Sequence, residues 1–176
     1  KVPVENRVGE EGKGWGYAKG LLAHERTGLA GISKSLAALE NLRKQASEVK
    51  RGNGTLLDDP SYRAKLAELE IDLMATEFTE LRSLASAANG AEPGPESSIL
   101  KLKGTEIQQR IQKLTVEAGG IYSAAWGPMP VGHLFARGGM SGYLSSRAYT
   151  IYGGASEVQR DVIAKNVLGI KKSQSK

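Results

Sequence analysis

From Gly14 onward, apolar residues recur with the period of an α-helix rather than that of a strand. Leu22, Leu29, Ile32, Leu36 and Leu39 follow one another at intervals of seven, three, four and three, so they share one face. That spacing predicts one long helix from about Gly16 to Val49. The run Arg51-Gly52-Asn53-Gly54-Thr55 ends it. Asp59-Pro60 then offers a side-chain acceptor followed by proline, whose missing N–H costs nothing in a first helical turn. A second helix carrying Leu66, Leu69, Leu73, Leu81 and Leu84 is expected to about Ala88. After the Gly- and Pro-rich loop 89–95, a third aligns Leu100, Ile107, Ile111 and Leu114. The stretch Gly119–Gly142 reads as an irregular loop around Trp126, Met129 and Phe135. A shorter helix is expected over Tyr143–Ile151, a turn at Gly153-Gly154, and a last helix over Ser156–Leu168 closed by Gly169. The predicted fold class is all-α: an antiparallel four-helix-type bundle with short extra helices.

The first eight residues do not fit this pattern. Lys1 to Val8 alternate like the end of a strand, yet nothing else in the chain offers a strand to pair with. There is no initiating Met and no signal-peptide pattern, so the chain reads as a fragment. Residues 1–13 are expected to be the extended remnant of a preceding β-domain and linker, 14–170 the helical domain, and 171–176 a polar basic tail.

Composition narrows the possible functions. With 40% apolar and 24% charged residues in 176, the chain resembles a soluble globular domain. It has no cysteine, hence no disulfide and no thiolate metal site, and no apolar run approaches the roughly 20 residues that span a bilayer. A reducing, cytoplasmic setting is expected. The net charge of +5 is spread among acidic residues rather than gathered in one block, which argues against nucleic acid as a partner. His24 and His133, without cysteine or a helical His pair, make no zinc site.

Glu25 stands out physically. On a helical wheel it falls within the face of Leu22, Leu29, Ile32 and Leu36, where a bare carboxylate is costly. Two readings stay open on periodicity alone: an ion pair with Arg26 or another arginine, or a desolvated carboxylate serving as a general base. Gly153-Gly154, taken alone, reads as a tight turn.

The stretch Tyr143-Leu144-Ser145-Ser146-Arg147-Ala148-Tyr149-Thr150-Ile151-Tyr152-Gly153-Gly154-Ala155-Ser156-Glu157-Val158-Gln159-Arg160, continuing to Val167-Leu168-Gly169, resembles the carboxy-terminal signature of acyl-CoA dehydrogenases. Val4-Glu5-Asn6-Arg7-Val8-Gly9-Glu10, Gly14-Trp15 and Leu22-Ala23-His24-Glu25-Arg26-Thr27-Gly28 resemble that family's passage from its middle β-domain into its first carboxy-terminal helix. Together the two matches span nearly the whole chain, in the manner of bacterial members. The resemblance implies a dimeric or tetrameric FAD enzyme, homo- or hetero-oligomeric, that acts on an acyl-CoA. Its electrons pass to an electron-transfer flavoprotein or a similar acceptor. A carboxylate removes the α-proton while the β-hydrogen leaves as hydride.

By the same resemblance the catalytic positions are Glu25 as base and Gly153, whose backbone N–H polarises the thioester carbonyl. Gly119, Gly120, Gly154, Ala155 and Glu157 are implied at the cofactor, and Arg26 and Tyr152 at the substrate. Many members carry the base in the late turn as Tyr-Glu-Gly; here that turn is Tyr152-Gly153-Gly154, leaving Glu25 as the alternative location. Other departures are the lack of Phe-Gly after Arg51, of a Gln shortly before Gly119-Gly120, and of a hydroxyl at Ala155. These keep two further readings in play: a supporting subunit of a two-subunit enzyme, and a helical interaction module. Cut off from a β-domain, the chain alone is expected to be colourless and inactive.

Overall fold

The computed structural model describes residues 1–90, 94–125 and 132–170, without the side chains of residues 22–27 and 29. Six α-helices account for most of these residues: α1 (Gly14–Ala30), α2 (Ile32–Glu48), α3 (Pro60–Ala88), α4 (Glu96–Gly119), α5 (Gly139–Ser145) and α6 (Ser156–Asn166). A two-stranded hairpin, β1 (Lys50–Arg51) with β2 (Gly54–Thr55), links α2 to α3, pairing Lys50 with Thr55 and Arg51 with Gly54.

The expected single first helix is two. Gly31 adopts the left-handed conformation (φ 59°, ψ 37°) and separates α1 from α2. Its neighbour on α4 explains why. The Gln108 amide donates to the Ala30 carbonyl at 3.0 Å, taking the acceptor that an unbroken helix gives to the N–H of residue 34. A side chain at position 31 would press on the same amide. At Gly104 a Cβ would collide with the backbone of Ala30, so the two helices touch main chain to main chain.

Helix α4 is the mast of the domain and packs against each of the other five α-helices. Its apolar face, Leu100, Ile107, Ile111, Leu114 and Ala118, meets Ile32, Leu39 and Leu42 of α2 and Leu66, Leu69 and Leu73 of α3 in one buried cluster. Each such Leu or Ile contributes about 1.5–3 kcal/mol by leaving water. Lys65 bonds Glu117 on α4, and Arg110 of α4 bonds Glu68 and Asp72, so α3 and α4 run antiparallel. Tyr62 is buried and donates its hydroxyl to the Leu114 carbonyl at 3.1 Å. Burial, then the nearby Glu117 carboxylate, pushes its phenol well above the ordinary range.

Several expected features hold and others do not. Asp59 caps α3, accepting from the N–H groups of Ser61 and Tyr62 at 2.8 and 3.2 Å, with Pro60 in the first position. Gly169 is left-handed (φ 67°) just past α6, which ends at Asn166 rather than Leu168. Leu36 is 38% exposed, and Leu81 and Leu84 are 51% and 56% exposed, not buried. Burial on α3 ends at Thr76, so the last three turns extend past the core they were expected to line. Two 3₁₀ turns, Gly120–Ala124 and Leu134–Ala136, and the start of α5 lie in the segment read as irregular. Phe135 packs against the core from there, whereas Trp126 and Met129 fall outside the described residues. The expected helix over Tyr143–Ile151 is the end of α5 followed by a 3₁₀ turn, Ser146–Thr150. Val4–Asn6 form a 3₁₀ turn, and residues 1–13 are exposed.

Candidate functional site

The chain between Gly142 and Gly154 lies along a second, polar face of α4. A Cβ on Gly142 would touch the Gln112 side chain; Gln109 donates to the Ser146 carbonyl and to Thr150 Oγ1 at 2.9 and 3.2 Å; Lys101 reaches the carbonyls of Tyr149 and Gly154. Position numbers rise on one partner as they fall on the other, so this segment descends α4 antiparallel. The direction then reverses. Arg160 of α6 pairs with Glu106 at 2.8 Å while Gly154 sits at Lys101, so α6 climbs back alongside α4 in the same sense.

Gly153 and Gly154 make the reversal. Both have positive φ, 66° and 100°, a conformation that costs a residue bearing a Cβ roughly 1–2 kcal/mol. Space is a second constraint at Gly154, where a Cβ would run into the Gln159 amide. Gln159 is fully buried, and neither its Oε1 nor its Nε2 finds a partner among the described residues. Tyr152 and Tyr149 stand beside the turn with rings 5.7 Å apart. Burial first, and then Tyr149, raise the Tyr152 phenol above its usual range. The N–H groups that open α6 receive no side-chain cap from Ala155. Glu157, in the first turn, brings a carboxylate that disfavours a second anion there.

Lys101 underlies this turn. Its side chain is fully buried, yet Nζ donates to the Tyr149 carbonyl at 3.1 Å and to the Gly154 carbonyl at 2.8 Å. A buried ammonium needs such acceptors, because a bare charge is costly away from water. One turn further along α4, Gly104 seats the Ala30 end of α1. The end of α1 and the Tyr152-Gly153-Gly154 turn therefore share one stretch of α4. Glu25 and Arg26 lie on α1, Glu25 about 7.5 Å along the axis from Ala30, with side chains outside those described.

Of the remaining sequence-derived positions, Gly154, Ala155 and Glu157 fall together around the reversal. Gly119 and Gly120 do not join them, because they end α4 about 27 Å along its axis from Lys101. Gly119 packs too tightly on Ser123 and Ala136 to admit a Cβ, while Gly120 (φ 57°) faces open space. Lys101, Gln109 and Gln159 were not singled out from sequence. A signal was there: Lys101, Thr105, Gln108, Gln109 and Gln112 form a stripe on α4 low in charge for a solvated face.

The model for the acyl-CoA dehydrogenase C-terminal domain matches residues 12–168, which is most of the chain. The chain belongs to the acyl-CoA dehydrogenase family. Among curated relatives, the acyl-CoA dehydrogenase FadE26 of Mycobacterium tuberculosis is 31% identical over 177 residues, covering 98% of this chain and 44% of that protein. A chain of the ChsE4-ChsE5 complex from Mycobacterium tuberculosis superposes with a TM-score of 0.78 at 30% identity, over 98% of this chain and 45% of that one. The Tcur3481-Tcur3483 steroid ACAD gives a TM-score of 0.80 at 28% identity, over 98% and 44%. The chain thus spans less than half the length of these dehydrogenase relatives. No helix among the described residues is long and apolar enough to cross a membrane.

Proposed function

We propose that this chain is the C-terminal part of an FAD-dependent acyl-CoA dehydrogenase, in which α1 and the reversal at Gly153-Gly154 form one side of the reaction site. The observation that carries this reading is their convergence on residues 101–108 of α4. Glu25 is the base that removes the α-proton of the thioester. The N–H of Gly153 polarises the carbonyl oxygen, lowering the cost of the negative charge that develops there. Arg26 and Tyr152 are assigned to the substrate, and a glycine at 153 leaves room where a carboxylate would otherwise project.

The turn suits the uncharged part of a flavin cofactor. Two adjacent glycines keep side chains off it, Gln159 holds beside it an amide that has no partner among the described residues, and the opening N–H groups of α6 have no side-chain cap from Ala155. Its pyrophosphate belongs elsewhere, since Glu157 brings negative charge to α6. Gly154, Ala155 and Glu157 would line one part of the bound FAD, and Gly119 and Gly120 a distant part or another subunit's copy. When bound, FAD supplies the acceptor for the β-hydrogen as hydride. In this reading residues 1–13 lead in from a β-domain and 14–170 form the helical domain. The setting is cytoplasmic, the substrate an acyl-CoA, and the electron acceptor an electron-transfer flavoprotein or similar protein.

A supporting, non-catalytic subunit is the second reading, favoured by the paired naming of its relatives, the ChsE4-ChsE5 complex and the Tcur3481-Tcur3483 steroid ACAD. One substitution separates the two. In the full-length protein, Glu25→Gln should lower turnover by about 10²–10⁴-fold, the usual loss of a general base, while FAD stays bound. Near-normal turnover with lowered thermal stability would instead identify Glu25 as an ion-pair partner in a supporting subunit.

A further inference from the structure

Lys101 poses a question that fold stability alone does not answer. A lysine on α4 fully out of solvent is an expensive way to fill space that a methionine or leucine would fill without a charge. What the ammonium contributes is direction. Two of its bonds run to carbonyls five residues apart, those of Tyr149 and Gly154, and draw both onto one atom. Between them lies the segment Thr150–Gly153, whose local support is thin. The N–H groups of Ile151 and Tyr152 both donate to the Ala148 carbonyl, and Ser156 Oγ reaches the Thr150 carbonyl only at 3.5 Å. Gly153 and Gly154 have wide conformational freedom, so without an anchor their peptide planes are the softest part of the turn.

The opposite side of the turn is also fixed. Gln159 abuts Gly154 so closely that no Cβ fits between them, and Gln109, two turns along α4 from Lys101, holds Ser146 and Thr150. A charge-assisted bond is shorter and stronger than a neutral one. Among Lys101, Gln109, Gln159 and Ser156, Lys101 alone brings a formal charge, and it does so at the Gly153-Gly154 reversal itself.

We infer that Lys101 is a positioning residue for the reaction: by tethering the carbonyls of Tyr149 and Gly154 it holds both ends of the reversal and so limits the swing of the Tyr152–Gly153 peptide between them, whose N–H polarises the substrate thioester. This rests on the proposed role of the Gly153 N–H. Lys101 need not touch substrate or cofactor to act this way. Its effect should appear in the chemical step more than in binding, because an N–H turned away from the developing oxyanion loses most of its value there.

The test uses the full-length flavoprotein with Lys101→Met, which keeps bulk and removes the donors, and Lys101→Gln, which keeps two N–H donors without charge. Turnover is measured with the saturated acyl-CoA that the protein oxidises fastest, and the spectroscopic probe is the corresponding α,β-unsaturated acyl-CoA, which binds the oxidised protein without reacting, labelled with ¹³C at its carbonyl and read by infrared difference spectroscopy. Native protein should shift the carbonyl stretch to lower frequency on binding. In Lys101→Met that shift should shrink and kcat should fall about tenfold or more, part of the ~10²–10³-fold loss of a whole oxyanion donor, with KM changed much less. Lys101→Gln should recover part of both. An undiminished shift and native kcat in a folded Lys101→Met protein would overturn the inference, as would unfolding of both variants, which would make Lys101 a folding residue only. Absence of any shift in the native protein would sink the Gly153 reading itself, a separate failure visible before any variant is made.

Discussion

The two faces of α4 solve different problems with one helix. About 130° apart around its axis, one stripe is Leu100, Ile107, Ile111, Leu114 and Ala118, and the other is Lys101, Thr105, Gln108, Gln109 and Gln112. The apolar stripe meets α2 and α3 through interchangeable contacts, with no preferred direction beyond good packing. The polar stripe meets α1, the 3₁₀ turn Ser146–Thr150 and the Gly153-Gly154 turn through single named bonds, each specifying where one carbonyl points. Hydrophobic burial is large and tolerant; hydrogen bonds are small in net energy and geometrically exacting. The fold of this domain therefore rests mainly on one face of α4, and the shape of the candidate site on the other.

That contrast breaks most visibly in the core. Ile107→Ala should cost the chain about 2–5 kcal/mol in a urea melt, the usual loss for a buried aliphatic side chain. A cost below 1 kcal/mol would mean that the apolar face is not the main source of stability. Between the stripes, Gly104→Ala should destabilise by about 1–3 kcal/mol despite alanine's better helix propensity, because the new methyl meets backbone rather than a side chain able to swing away. An increase in melting temperature would show that α1 sits further from α4 than described. On the polar face, Gln109→Ala should cost about 0.5–1.5 kcal/mol by removing the side-chain donor shared by the Ser146 carbonyl and the Thr150 hydroxyl. A loss as large as that of Ile107→Ala would erase the distinction between the faces.

Much of the first face was legible in the sequence. Leu66, Leu69, Leu73, Leu100, Ile107, Ile111 and Leu114 announce themselves because burial of aliphatic residues on a helix leaves a period that needs no partner to be read. Asp59-Pro60 and Gly169 were equally plain, since caps are local chemistry. What escaped depends on distant residues. Gly31 becomes a break only because Gln108, far along the chain, takes the Ala30 carbonyl. Leu36, Leu81 and Leu84 continue the apolar period past the point where neighbouring helices cover it. Lys101 escaped for a further reason: a lysine next to a core leucine is usually solvated, and only the fold brings two carbonyls to its end. The double glycine marked the Gly153-Gly154 turn and the resemblance implied a role for it, but neither showed what holds it.

Gly31 has one more consequence, for how the domain opens. In an unbroken helix of more than thirty residues, a fluctuation at one end must pass down a continuous ladder of bonds before it frees the other. Here the Ala30 carbonyl answers to α4, and the next bond, from the Ser35 N–H at 2.9 Å, begins again at Gly31. Helices α1 and α2 are thus expected to open as separate units, α1 leaving α4 while α2 stays in the leucine core, which hydrogen exchange would check. The amides of α2 are set to exchange their hydrogens with the whole domain, and those of α1 on a shorter clock of their own.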